Sequence, residues 1–192
     1  REKQIHSAME PLKSINPYTG EELATYPVLQ EEEWREKLAQ SFTAFQSHRH
    51  TGWAERSANL RRLAKILDDS AKEQAPLLTR EMGKPLAEAE AELRKCAWLC
   101  RYYADNGPSH LAGRNIESNA ESSYVRYDPL GTILAIMPWN YPFWQVFRFA
   151  VPALMAGNVA LLKHAPNVQG CARVIESLFQ KAGFHPQALL NL

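Results

Sequence analysis

The sequence predicts an α/β fold in which amino-terminal helices and a hairpin precede three strands that alternate with two helices. Three observations support this prediction. Apolar residues in 29–106 recur every three or four positions, which is typical of amphipathic helices. From Gly131 onward, short continuous apolar runs alternate with helical spacing, as in a parallel sheet with helices on its faces. The 192 residues, of which 45% are hydrophobic, can also bury a sizeable core.

The composition argues against several other classes of protein. The 22 basic and 21 acidic residues nearly balance and form no basic tract, so we expect no nucleic-acid or membrane-surface partner. We expect no membrane span either, because prolines and polar residues interrupt the central apolar run too often. The three cysteines fit free thiols in a reducing, cytoplasmic compartment better than a disulfide framework. Residues 1–11 show no apolar core of a secretory signal.

A hairpin and a helix are predicted near the amino terminus. Residues 1–10 are polar, and we expect them to fray. An Asn-Pro and a Thr-Gly pair within residues 14–27 mark turns, and the short runs on either side suit a small hairpin. Residues 29–48 follow as a helix, whose apolar face is formed by Trp34, Leu38, Phe42 and Phe45.

Three further helices are predicted before residue 107. They span residues 54–74, residues 77–82 with Gly83 at the end, and residues 85–106, after which a Gly-Pro pair stops the helix. In the last of them, Cys96 and Cys100 lie one turn apart on the inner face. No histidine lies near them to complete a metal site, so we favour packing in the core over metal binding.

A second hairpin is predicted to project from the body of the molecule. Residues 115–119 and 122–127 form its two strands, because the second segment is rich in β-forming residues and ends at an Asp-Pro turn. The exposed edge of such a hairpin can pair with another subunit.

The strand-helix-strand-helix-strand pattern begins at residue 132. We predict strands over 132–137, 159–162 and 188–192, and helices over 143–156 and 168–182. The first strand is continuously apolar, so we expect it to be covered on both faces. Connections of this kind wind right-handed into a parallel sheet. The pattern is that of the first half of a nucleotide-binding domain.

Two polar side chains are predicted to emerge at the carboxyl edge of this sheet, where ligands bind in open α/β sheets. Asn140 lies in a Pro-Trp-Asn-Tyr-Pro turn after the first strand. Its amide could stabilise an oxyanion or cap the following helix, and spacing alone favours the cap. Lys163 closes the second strand and could reach a ribose or phosphate, although spacing alone favours a lysine that extends into solvent. His164 has no visible partner, and we interpret it as a surface residue.

Residues 129–145 read PLGTILAIMPWNYPFWQ, and residues 151–167 read VPALMAGNVALLKHAPN. These two stretches resemble the aldehyde dehydrogenase superfamily, and most of all its succinate-semialdehyde dehydrogenases. Supporting matches are NPYTGE at residues 16–21 and REMGKP at residues 80–85. The resemblance covers nearly the whole chain beyond the first ten residues. The Pro-Trp-Asn-Tyr-Pro motif with a lysine at this distance is highly specific.

The resemblance implies oxidation of a small aldehyde, such as succinate semialdehyde, to the carboxylic acid with NADP or NAD. A cysteine thiolate attacks the aldehyde, hydride passes to nicotinamide, and water releases the acid. Asn140 matches the family's oxyanion-hole asparagine, and Lys163 matches the lysine that binds the adenosine ribose. The matches to the cofactor segment are Ile136, Met137, Pro138 and Trp139, and those to the start of the substrate channel are Phe143 and Trp144.

Two departures from the family pattern carry further expectations. At Pro166, a cofactor-binding position, many NAD-preferring members carry a glutamate that bonds the ribose hydroxyls, so we expect NADP to be accepted here. The family's nucleophilic cysteine, general-base glutamate and pyrophosphate-binding glycine turn lie beyond the positions that match Leu192. None of the three cysteines matches the nucleophile. We therefore expect the chain to be an amino-terminal portion that is inactive alone.

The resemblance also implies a division into three parts. Residues 1–114 would be the hairpin and helical part of the cofactor-binding domain, residues 115–129 an oligomerisation hairpin, and residues 130–192 the first half of a Rossmann-like NAD(P)-binding domain. The expected partners are an aldehyde substrate and either further copies, in a homo-oligomer, or the missing carboxy-terminal portion. The alternative is a non-catalytic nucleotide-binding or assembly module derived from the same family.

Overall fold

A computed structural model describes residues 10–192, and the expectation for the first nine residues lies outside this range. The strands are β1 (Leu12–Ile15), β2 (Glu22–Tyr26), β3 (Arg114–Asn115), β4 (Tyr124–Val125), β5 (Thr132–Met137), β6 (Val159–His164) and β7 (Leu189–Asn191). The helices are α1 (Glu31–His48), α2 (Trp53–Met82), α3 (Leu86–His110), α4 (Trp144–Met155) and α5 (Gln169–Lys181). A 3-10 turn, Pro166–Val168, precedes α5.

A three-stranded parallel sheet, in the order β5-β6-β7, confirms the predicted α/β fold. The predicted ends of β5 are confirmed, and β6 runs two residues further than predicted, to His164. β5 and β6 pair along their whole length, so that Met137 lies opposite His164. Both strands therefore end side by side at the carboxyl edge of the sheet.

Helices lie on both faces of this sheet. On one face, Ser41 of α1 forms a hydroxyl–hydroxyl hydrogen bond of 3.1 Å with Thr132 of β5. Side chains alternate between the two faces along a strand, so Met137 and its partner His164 point to the other face. There His164 bonds the loop that leads into α4. The helices α2 and α3 pack outside α4 and α5.

Aromatic side chains fill the core around α4 and α5. Phe143 packs on Phe147 with ring centroids 6.2 Å apart, Phe147 packs on Phe179 at 5.2 Å, and Phe179 packs on Phe184 at 5.5 Å. All four rings are buried. Pairs of this kind contribute about 0.5–1.5 kcal/mol each beyond the burial of their surface, so they fix α4 against α5.

Two predicted breaks in the helices are wrong. α2 continues through Pro76 as a single helix, and α3 continues through Pro108 into one more turn. A proline removes one backbone hydrogen bond, but Ala75 and Leu78 beside Pro76 are buried in the core, and their burial offsets the loss. Pro108 lies in the last turn of α3, where few bonds remain to be broken. Gly83 does end α2 as predicted, in the left-handed conformation with φ 77°.

Both predicted hairpins are present. β1 and β2 pair antiparallel, as expected. β3 and β4 also pair antiparallel, but with only two residues in each strand. One further backbone bond, in which the N–H of Ile116 donates to the carbonyl of Ser123 at 2.8 Å, extends this second hairpin towards its tip. The residues between form a loop, so the strands are shorter than predicted.

Most of the apolar face predicted on α1, and one face of β5 that was predicted to be covered, are exposed within residues 10–192. On α1, Phe45 is buried, but the rest of the predicted stripe is exposed: Trp34, Leu38 and Phe42. On β5, Leu134 and Ile136 are 56% and 70% exposed. β5 is an edge strand, and no element in the described range covers this part of its face. The continuous apolar pattern therefore marks surface that is open here.

Candidate functional site

The carboxyl edge of β5 and β6 brings an exposed cation next to exposed apolar surface. Lys163 is the register partner of Ile136, and paired residues of parallel strands point to the same face. Both side chains are exposed. Lys163 forms no ion pair with any residue in the range 10–192. This arrangement suits a sugar or phosphate group that lies against the end of the sheet.

Asn140 lies in the irregular turn between β5 and α4, and its side chain is exposed. The prediction that Asn140 caps α4 is wrong, because the N-cap position is occupied by Phe143. Within the described part of the chain, the Asn140 amide makes no hydrogen bond and is free to meet a ligand. Pro138 and Pro142 restrict the backbone on either side, so the amide is presented from a stiff turn.

A carboxylate from another helix caps α4 instead. Glu92 on α3 accepts hydrogen bonds from the backbone N–H groups of Phe143 and Trp144, both at 2.9 Å. Glu92 also forms a buried ion pair with Lys84, whose ammonium lies 3.7 Å from the centroid of the Tyr141 ring. The free N–H groups and the dipole of the helix both favour a carboxylate at this position. The ion pair thus contacts the turn at two points.

The interpretation of His164 as a surface residue is wrong, because its side chain is only 1% exposed. Its Nδ1 accepts a hydrogen bond of 2.9 Å from the backbone N–H of Ala165, so the proton lies on Nε2. Nε2 donates to the carbonyl oxygen of Pro142 at 2.9 Å. Burial lowers the pKa of His164, which keeps the ring neutral. The ring therefore ties the end of β6 to the turn after β5.

A second buried carboxylate, Glu81 at the end of α2, caps α5. It accepts hydrogen bonds from the backbone N–H groups of Gly170 and Cys171, both at 2.9 Å. The Ser14 hydroxyl lies 2.7 Å from the Glu81 carboxylate and 3.2 Å from the carbonyl oxygen of Asn167. This network fixes the loop that follows β6 and joins the first hairpin to it.

The remaining predicted site residues are partly exposed, with one exception. Those at the sheet edge with exposed or half-buried side chains are Met137, Pro138, Trp139 and Pro166. Phe143 is fully buried and offers no surface to a substrate in this chain. Trp144 is half-buried and lines a cavity of about 300 Å³ together with Tyr141 and Lys95. The Lys95 ammonium lies 4.1 Å from the centroid of the Trp144 ring.

All three cysteines are free and fully buried. The core packing predicted for Cys96 and Cys100 is confirmed. Burial raises the pKa of each of the three thiols above its ordinary value. Burial therefore disfavours the thiolate form of all three.

Two further findings concern metals and membranes. Among the residues that the structure describes, no group of three or more His, Cys, Asp or Glu side chains is placed to hold a metal ion. No helix of residues 10–192 is both long and apolar enough to cross a membrane.

Sequence reasoning missed Lys84, Glu81 and Glu92, which hold the two loops at the sheet edge. A signal for the carboxylates was present. Glu92 lies three residues after the buried Ala89, and Glu81 lies three residues after the buried Leu78. A carboxylate on the buried stripe of a helix must find donors, and here each one finds two backbone N–H groups.

The sequence profile of the aldehyde dehydrogenase family matches residues 5–192. The chain is 49% identical over 181 residues to a probable succinate-semialdehyde dehydrogenase from Synechocystis sp., named for NADP(+), and covers 40% of that protein with 94% of its own length. It is 46% identical over 176 residues to a succinate semialdehyde dehydrogenase of Escherichia coli (strain K12), named for NAD(P)+, and covers 38% of that protein with 92% of its own length.

Solved structures show the same fold. Succinic semialdehyde dehydrogenase from Streptococcus pyogenes, in complex with NADP+, matches with a TM-score of 0.90 and 31% identity over 94% of this chain and 40% of that one. Succinate-semialdehyde dehydrogenase from Burkholderia pseudomallei matches with a TM-score of 0.89 and 30% identity, over 95% of this chain and 38% of that one. The chain thus spans about 40% of the length of the relatives that it matches.

Proposed function

Because the chain belongs to the aldehyde dehydrogenase family, we propose that it forms the cofactor-facing and oxyanion-stabilising part of a dehydrogenase that oxidises succinate semialdehyde with NADP or NAD. The carboxyl edge of the parallel sheet carries this proposal, because exposed Lys163 lies there beside Ile136 and the turn that holds Asn140 follows. The names of the Synechocystis and E. coli relatives support the choice of aldehyde.

In this proposal, Asn140 stabilises the charge that develops on the aldehyde oxygen. Attack by a thiolate turns the carbonyl oxygen into an alkoxide, and an amide N–H directed at that oxygen lowers the barrier. Loss of one such donor costs about 100- to 1000-fold in kcat. The amide is available for this role because Glu92, and not Asn140, caps α4.

The sheet edge has the chemistry that an adenine dinucleotide requires. When bound, NADP or NAD would accept hydride from the aldehyde carbon. Lys163, which has no ion-pair partner in the described range, would hold the adenosine ribose or its 2′-phosphate. The surface along the cofactor would be formed by Ile136, Met137, Pro138 and Trp139. Pro166 begins the turn after β6 and brings no carboxylate to repel a 2′-phosphate, so NADP is accepted.

The thiolate of the proposed reaction is none of the three cysteines, since each is buried and keeps its proton. We therefore expect no NADPH formation when the purified chain is incubated with NADP+ and succinate semialdehyde. Trp144 stays our candidate for the start of the substrate channel, beside the cavity that it shares with Tyr141. Phe143 would support that wall from the core.

A second candidate function is a non-catalytic nucleotide-binding or assembly module. The exposed Leu134 and Ile136 favour it, because apolar surface of this kind is normally covered in a complex. The hairpin within residues 115–129 would pair with another copy in a homo-oligomer. We place either form in the cytoplasm, since the three free cysteines suit a reducing compartment.

The proposal can be tested with a chimera in which this chain replaces the matched segment of the Synechocystis relative. We expect NADPH formation with succinate semialdehyde, and a kcat/KM with NADP+ at least equal to that with NAD+. The unmodified relative is the positive control, and Pro166→Glu should shift the preference towards NAD+. A folded chimera that binds NADP+ without turnover would favour the assembly module, and a strong preference for NAD+ would contradict the argument from Pro166.

A further inference from the structure

Three consecutive residues of the turn after β5, Tyr141–Phe143, are each held by a different buried side chain. Asn140 immediately precedes them, is exposed, and makes no hydrogen bond within residues 10–192. The Cα–Cβ bond of Asn140 is directed by the backbone of the turn, and that backbone is anchored at the next three residues. The orientation of the amide therefore depends on contacts made one to three residues away.

The three holding side chains come from three different parts of the fold. Lys84 lies in the loop after α2, Glu92 on α3, and His164 at the end of β6; they are 6%, 4% and 1% exposed. Lys84 and Glu92 form an ion pair. The ammonium on the ring of Tyr141 and the carboxylate at the start of α4 therefore cannot move independently of one another.

We propose that Lys84, Glu92 and His164 are positioning residues that hold the Asn140 amide in the orientation needed to stabilise an oxyanion. The inference rests on the proposed role of Asn140. Preorganised donors are effective because they need no reorientation during the reaction. A turn held at three successive residues supplies that rigidity, and a misplacement of about 1 Å can cost on the order of 100-fold in rate.

The carboxylate cap at α5 shows that capping alone does not require this arrangement. Glu81 caps α5 by accepting hydrogen bonds from two backbone N–H groups, and its third donor is the hydroxyl of Ser14. The corresponding partner of Glu92 is the buried ammonium of Lys84, which also lies against the ring of Tyr141. A buried ion pair adds little net stability over an apolar pair of the same size. What Lys84 adds is a fixed contact beside Asn140.

A double-mutant cycle between Asn140→Ala and Glu92→Gln, measured in the chimera, tests the inference. Glutamine keeps an oxygen for the two N–H groups of α4 but loses the charge that holds Lys84. We expect kcat to fall about 10- to 100-fold in Glu92→Gln and about 100- to 1000-fold in Asn140→Ala. The double variant should fall no further than Asn140→Ala, and KM for NADP+ should stay within about threefold.

Glu90→Gln is the matched control, since Glu90 lies on the same helix in a partly exposed pair with Arg94, and kcat should not change. Tyr141→Leu gives the same test at the surface, where folding is not at risk. It should lower kcat only when Asn140 is present, and Tyr141→Phe, which keeps the ring face, should restore it. Equal losses of kcat from Glu92→Gln in both backgrounds, or no loss in either, would overturn the inference. If Asn140→Ala itself leaves kcat unchanged, the proposed function is wrong, and the inference fails with it.

Discussion

The loops that follow β5 and β6 are both closed by a buried carboxylate at the start of the next helix, but the two carboxylates have different companions. Glu92, at the β5 loop, is paired with the ammonium of Lys84. Glu81, at the β6 loop, is bonded by the hydroxyl of Ser14 and forms no ion pair within residues 10–192. The carboxylate at the first loop therefore has a charged companion, and the carboxylate at the second has a neutral one.

This difference matches the two roles that we propose for the loops. The β5 loop carries Asn140, whose amide must point in one direction when charge develops on a reacting oxygen. The β6 loop follows Lys163, a flexible point charge that can reach a ribose or phosphate from several positions. A rigid support is needed only for the first.

Lys84→Met should destabilise the chain by about 3–5 kcal/mol, because it leaves the carboxylate of Glu92 buried without its counter-charge. Urea unfolding followed by circular dichroism measures the loss. Lys65→Met is the control, because Lys65 forms an exposed pair with Asp69 and should change stability by less than about 1 kcal/mol. Equal effects of the two substitutions would show that the β5 loop is not held by charge.

Gly170→Ala should destabilise the β6 loop by about 1–3 kcal/mol, less than the loss of Lys84. A Cβ at Gly170 would lie 2.6 Å from the Glu81 carboxylate and displace it from the start of α5. Gly52→Ala is the control for a Cβ that meets nothing within 4 Å, and because Gly52 is the N-cap of α2 this variant should lose no more than about 1 kcal/mol. The same urea titration measures both variants. A Gly170→Ala chain as stable as Gly52→Ala would contradict the importance of the Glu81 cap.

The free energy of unfolding should fall as the pH drops from about 6.5 towards 4, partly through His164, which joins the two loops. Burial lowers the pKa of His164 below 6.5, and burial lowers that of His48 to about 4. The unfolded chain therefore binds protons in this range that the folded chain does not, and stability is complete only above it. His48 should contribute about 1 kcal/mol between pH 7.5 and 5.5, and His164 should lower the free energy of unfolding in the same direction.

His164→Gln provides the comparison for this pH dependence. Glutamine can still donate to the carbonyl of Pro142 but cannot be protonated. The free energy of unfolding should therefore fall less between pH 7.5 and 5.5 in this variant, because the contribution of His164 is missing. An unchanged decline would mean that His164 is not neutral in the folded chain.

The sequence predicted the parts of the site that depend on neighbouring residues. The apolar runs that end at Met137 and near Lys163 marked two adjacent strands, and their parallel pairing followed from the helix between them. The Pro-Trp-Asn-Tyr-Pro motif identified Asn140. Spacing could not tell whether the amide caps α4, because the group that does so, Glu92, lies 51 positions away from Phe143.

The misjudged elements share a physical cause, since each depends on contacts that are distant in sequence. Pro76 does not break α2, because burial on both sides of it outweighs one lost hydrogen bond. The partner that satisfies the buried His164 ring is the carbonyl of Pro142, which lies 22 positions earlier in the preceding loop, so local sequence could not reveal it. The apolar stripe that includes Phe42 on α1 is exposed because nothing in the described range covers it. Local periodicity reports which residues share a face, but not what meets that face.

The central claim is that Asn140, in the loop after β5, serves the chemical step and that Lys163, at the end of β6, serves the cofactor. Steady-state kinetics of Asn140→Ala and Lys163→Ala in the chimera test it most directly. We predict that Asn140→Ala lowers kcat about 100- to 1000-fold and leaves KM for NADP+ within about threefold. Lys163→Ala should raise KM for NADP+ about 10-fold, the effect of losing one charged hydrogen bond, and leave kcat within a few-fold. If both substitutions change the same constant, or if neither changes any, the account is wrong.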